Sequence, residues 1–142
     1  MTKRKFFAAA RSFIHANLMH KRFNETESKF DIRDFNAYFV DPQGIYFSLW
    51  YALLYNVLEF LTIEKAIPPN ISKEVDAIYH PLRRFRNAIL HTPPKYFDKR
   101  FDFILSQKAF KKILSIHFGL SKYFDEELAK YGETAELSPE TK

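Results

Sequence analysis

His80-Pro81-Leu82-Arg83-Arg84-Phe85-Arg86-Asn87-Ala88-Ile89-Leu90-His91-Thr92-Pro93 reads as the end of a helix that gathers three arginines, an amide and a histidine. At 3.6 residues per turn, Arg84, Asn87 and His91 are spaced by three and four and rise along one stripe. Arg86 lies five residues before His91, about 140° round the axis, so the two do not simply point together. Either Arg86 reaches round on its long stem, or a second chain completes the pair. Pro93 disfavours the α conformation at Thr92, and Pro94 forbids a quick resumption. His91 should therefore sit in the last turn, at the negative end of the macrodipole and beside a break in the chain, a place suited to proton transfer.

The segment Arg86-Asn87-Ala88-Ile89-Leu90-His91 resembles the R-[polar]-x-x-x-H signature of the HEPN superfamily, a group of small all-helical domains, many of them metal-independent ribonucleases. Its setting adds to the likeness, because the motif closes a helix late in a short chain, after a long apolar helix (Tyr46 to Leu61) and before a further one. The resemblance covers roughly residues 42–124. It implies an all-α, up-and-down bundle of about four to five helices. It also implies a composite site at a homodimer interface, with Arg86, His91 and Asn87 as catalytic residues. Arg83, Arg84, Lys95 and His80 would bind substrate. RNA would be the substrate and an antitoxin protein a possible partner, with no cofactor and no metal, as in a stress or phage-defence toxin. A non-catalytic module that binds RNA or protein through the same face is the alternative. In HEPN toxins that are nucleotidylated, a tyrosine follows two residues after the histidine. Here Pro93 stands there and Tyr96 lies beyond two prolines, so no such control is expected.

The charge pattern agrees with a polyanionic substrate. From Ala77 to Arg100 six basic residues (Arg83, Arg84, Arg86, Lys95, Lys99, Arg100) face one acid, Asp98, the polarity that phosphates require. Other chemistries find no support: the sequence has no cysteine, no glycine-rich phosphate loop, no H-E-x-x-H or G-x-S-x-G, and no His/Asp/Glu cluster at metal-ligand spacing. The lack of cysteine fits a reducing, cytoplasmic setting.

The 142 residues suffice for one core, and the expected layout is a single helical domain over 1–131 and a disordered acidic tail over 132–142. Residues 3–23 form an amphipathic helix with Phe6, Ala10, Phe13, Ile14 and Leu18 inward; His15 and His20 are expected at the surface. A loop with a short helical turn is expected over 24–41. Asp41-Pro42 starts a long helix running to about Ala66, where Pro68-Pro69 stop it. No charge occurs between Asp41 and Glu59, but Asn56 interrupts the run and the tyrosines form no belts, so a buried central helix is preferred to a membrane span. Glu59 is read as a partly exposed carboxylate, with an arginine of the motif as its alternative partner. Ser72 should cap the next helix, and Pro81 should kink or break it near His80. One helix ending near Ser106 and another from Lys108 complete the chain, with His117 packed in the core.

Overall fold

The computed structural model of the chain describes residues 1–31, 33, 35–91 and 98–132, and the backbone alone of Phe35 and Asn36. Among these the structure is an all-α helical bundle of α1 (Lys3–Glu25), α2 (Phe35–Tyr38), α3 (Pro42–Ile63), α4 (Ser72–Leu90) and α5 (Gln107–Gly132). Two 3-10 segments, Pro69–Ile71 and Lys99–Leu105, lead into α4 and α5. Lys95 and Tyr96, and the acidic segment 133–142, lie outside the described residues.

The central element is α3. Asp41 caps it, its carboxylate accepting from the Gln43 amide at 3.3 Å, with Pro42 in the first turn. Trp50, Tyr51, Leu54, Tyr55, Val57, Leu58 and Leu61 are all fully buried, which a helix achieves only when neighbours cover most of its circumference. Pro42–Ile63 is long and apolar enough to cross a membrane, but most of its apolar window is buried inside the bundle. Phe23 against Phe47, His20 against Trp50 and Lys5 against Glu64 fix α1 antiparallel to α3. Tyr51 against Phe85 and Tyr55 against Tyr79 do the same for α4. Phe47 against Phe110 and Trp50 against His117 place α5 parallel to α3, so the four long helices alternate up and down. Gly44 lets the short α2 close on α3, since a Cβ there would overlap the Tyr38 carbonyl.

Several local expectations are corrected. α1 turns Phe6, Ala9, Ala10, Phe13, Ala16 and His20 inward and leaves Ile14 and Leu18 exposed. His20 is thus buried, whereas His15 is exposed as expected. α3 ends at Ile63, about three residues early. There Lys65 takes a left-handed φ of 54°, its amide donating to the Thr62 carbonyl at 3.1 Å and that of Ala66 to Leu61 at 2.8 Å, the double bond of a Schellman termination. Ser72 does not cap α4: the 3-10 turn runs straight into the helix, Ile71 holds the cap position, and no side chain bonds there. Nor does Pro81 break α4. Ala77 and Pro81 both lie on the exposed face, so the carbonyl deprived of its amide partner is open to water, and the missing bond leaves no buried polar group.

A polar seam crosses the core between α1, α3 and α5. The Trp50 indole donates to His117 Nδ1 at 3.1 Å, and His117 Nε2 meets Asn17 Oδ1 at 3.0 Å. Since an indole can only donate, Nδ1 accepts and the proton sits on Nε2, which leaves the imidazole neutral. Burial, with His20 beside it at 4.5 Å between ring centroids, pushes the His117 pKa down to about 4. Burial lowers that of His20 as well.

Candidate functional site

Leu82, Phe85 and Ala88 bury one side of α4 against the bundle, which turns His80, Pro81, Arg83 and Arg84 to solvent and holds Arg86 and Asn87 at the border. Arg86 folds back onto α3. Its Nη1 donates to Asn56 Oδ1 at 2.7 Å and its Nε to Asn87 Oδ1 at 2.8 Å. The guanidinium carbon stands 4.6 Å from the centre of the Tyr55 ring, and Nη2 lies 3.8 Å from Glu59 Oε2. A cation–π contact and one hydrogen bond thus hold the fork against α3, while Nε is anchored to Asn87 of its own helix. Glu59 is partly exposed, as expected; it accepts from the Tyr55 hydroxyl at 2.7 Å and also has the motif arginine beside it. Desolvation, together with Tyr79 and Glu59, drives the Tyr55 pKa upward.

His91 is the C-cap of α4, one position beyond the last helical residue; its extended backbone points the chain away, and its amide donates to the Asn87 carbonyl at 3.1 Å. Its side chain is exposed and has no hydrogen-bond, ion-pair or ring partner among the described residues. Asn87 therefore stands between the two motif ends, its amide oxygen engaged by Arg86 and its carbonyl by His91. Its side chain orients the arginine.

The basic window is less free than its composition suggests. Arg100 is clamped to Asp98, Nη2 to Oδ2 at 2.6 Å. Arg100, and then more distant Arg84, hold the Asp98 carboxyl at about 2. Arg83 and Arg84 are both exposed and make no hydrogen bond or ion pair among the described residues. His80 is exposed, its ring edge-on to Tyr79 at 5.8 Å, and lines a cleft at the far end of the α3–α4 groove. Lys95 lies outside the described residues. The structure thus gathers Arg86 and Asn87 with Asn56, Glu59 and Tyr55, and leaves His91, Arg83 and Arg84 open to solvent.

Comparison with protein-family models, curated proteins and solved structures finds no match.

Asn56 and Tyr55 were invisible as site residues in the sequence, where they read only as an interruption and a core aromatic of α3. The available signal was a lone amide in an otherwise apolar central helix, since a polar group at a helix–helix border implies a partner.

Proposed function

We propose that the chain is a HEPN-like, metal-independent endoribonuclease whose site is completed by a second copy. One observation carries the reading: a guanidinium pre-set by two amides and an aromatic face stands five residues before an exposed histidine, without a side-chain partner among the described residues, at the end of the same helix. The substrate's 2′-hydroxyl attacks the adjacent phosphorus as its proton passes to a base. The P–O5′ bond breaks, leaving a 2′,3′-cyclic phosphate, and the leaving oxygen takes up a proton. Across a two-fold axis, two copies of His91 supply the base and the acid, each worth about 10²–10⁴ in rate. Arg86 steadies charge on the non-bridging oxygens, and Arg83 and Arg84 hold the flanking backbone. DNA lacks the nucleophile and is not cut.

Digestion of mixed RNA tests this. His91→Ala, at an exposed position whose side chain has no hydrogen-bond or ion-pair partner among the described residues, should abolish cleavage and leave the fold unchanged. Arg84→Ala should weaken binding and flatten its salt dependence. Arg86→Ala should abolish cleavage but also loosen the α3–α4 contact, because Arg86 bonds Asn56 and packs on Tyr55 of α3. Arg86→Lys, which keeps the charge and loses the fork, is the cleaner variant. Activity that vanishes in EDTA, survives His91→Ala or yields 5′-phosphate ends overturns the mechanism. A non-catalytic binding module is the second reading, favoured by the engagement of Arg86 with its own α3.

A further inference from the structure

Tyr79 and Arg86 are seven residues apart, two turns of α4, and so face the same side of the helix. Both meet Tyr55 of α3: the Tyr79 hydroxyl lies 3.4 Å from that of Tyr55, whose ring carries the Arg86 guanidinium. Followed from Arg86 toward the start of α4, this groove opens into a cavity of about 370 Å³ lined by Thr62, Lys65, Ile67, Ser72, Val75, Asp76, Tyr79 and His80. That volume lies at the small end of ligand sites and suits one planar base with part of its ribose. Tyr79 and His80 stand nearly perpendicular, at 87°, so one can lie against a base face while the other closes its edge. Val75 and Ile67 supply the apolar part of the lining.

The charged groups of the cavity are the informative ones. Lys65 and Asp76 both line it, yet neither makes an ion pair among the described residues. Lys65 is also the one non-glycine among them with a left-handed backbone, at a helix-end position that glycine ordinarily fills. Its retained side chain places an ammonium at the mouth, where a phosphate would pass. A carboxylate beside a polyanion repels the backbone, so its use there is to read a base. It can only accept hydrogen bonds. Guanine alone presents two adjacent donors, N1–H and the 2-amino group, on its Watson–Crick edge. Adenine and cytosine set an acceptor beside their donor, and uracil flanks its single donor with carbonyls.

We propose that this cavity is a guanine subsite, in which Asp76 reads the Watson–Crick edge of a base in single-stranded RNA. The assignment rests on the ribonuclease reading for its substrate. At 1.5 Å per residue, Tyr79 lies about 10 Å and Asp76 about 15 Å along α4 from Arg86, which puts the subsite a few nucleotides from the phosphate held there.

The test is binding to the full chain carrying His91→Ala, titrated with 5′-GMP and 5′-AMP and followed by calorimetry. GMP should bind at least about tenfold more tightly. Asp76→Asn, which replaces one acceptor with a donor, should erase that preference and move it toward AMP. A single-stranded oligoadenylate with one guanosine should bind more tightly still, because its phosphates reach Lys65 and Arg83. Equal affinity for GMP and AMP, or a preference unchanged in Asp76→Asn, overturns the subsite. An oligonucleotide that binds no better than GMP overturns its assignment to RNA in favour of a free nucleotide. Binding is read without cleavage, so failure of the ribonuclease reading shows separately, as RNA left intact by the unaltered protein.

Discussion

Tyr51 carries an unsatisfied atom in the core: its hydroxyl is buried and meets no hydrogen-bond partner among the described residues, and burial drives its pKa far upward. An orphaned buried hydroxyl costs about 1–3 kcal/mol, so Tyr51→Phe should raise stability by about 1 kcal/mol in urea unfolding; a loss would mean that the hydroxyl is satisfied by water. His117 makes an opposite demand on pH. Its pKa falls from 6.5 in the unfolded chain to about 4 in the bundle, so below 6.5 the unfolded state binds the proton first and stability falls with pH. By pH 5 the loss should reach about 2 kcal/mol, with His20 adding in the same direction. Urea midpoints at pH 7.5 and 5.0 measure it, and His117→Phe should narrow the difference; an undiminished difference in that variant removes His117 as the cause. Neither effect was legible beforehand. The packing of His117 was expected from its apolar neighbours, but its bond to Trp50 joins residues 67 apart in the chain, and no local pattern encodes such a pair.

Helix boundaries were legible wherever proline or a capping carboxylate marks them, as at Asp41-Pro42. They were misread where the backbone found another solution. The end of α3 is set by the left-handed Lys65, which costs about 1 kcal/mol relative to glycine. Lys65→Gly should accordingly raise the melting temperature while weakening nucleotide binding at the cavity beside it, a trade of stability against function. A lower melting temperature would show that the lysine stem contributes more through packing than its backbone loses. The inward face of α1 was misassigned for a different reason. Phe6, Ala10 and Phe13 fit either of two adjacent stripes, and larger apolar residues at Ile14 and Leu18 made the wrong one look better. The small side chains of Ala9 and Ala16 let α1 approach α3 closely, which rewards shape rather than hydrophobicity.

Alternating apolar helices with short connections made the all-α bundle readable from the sequence, whereas the candidate site was readable only in part. Arg86, Asn87 and His91 lie within six residues and share a helix, so spacing revealed them. Asn56 and Glu59 join them only through the antiparallel docking of α3 on α4. The exposed His91 and inward-held Arg86 of one chain meet in one cleft if a second copy supplies the complementary pair. Sedimentation at micromolar concentration should therefore give about twice the 16.9 kDa of the chain; a strict monomer that still cleaves RNA removes the composite site.

The contact between Trp50 and His117 also equips the molecule with an optical reporter. The chain has a single tryptophan, so its indole emission, excited beyond tyrosine absorption, comes wholly from a ring lodged at the junction of α1, α3 and α5. An imidazolium within hydrogen-bonding distance quenches indole fluorescence, which makes the intensity a proton gauge at the centre of the bundle. A shift of the emission to longer wavelength registers entry of water into the same place. Intensity lost without a wavelength shift on acidification would mark protonation inside an intact bundle, and the two changes occurring together would mark its opening.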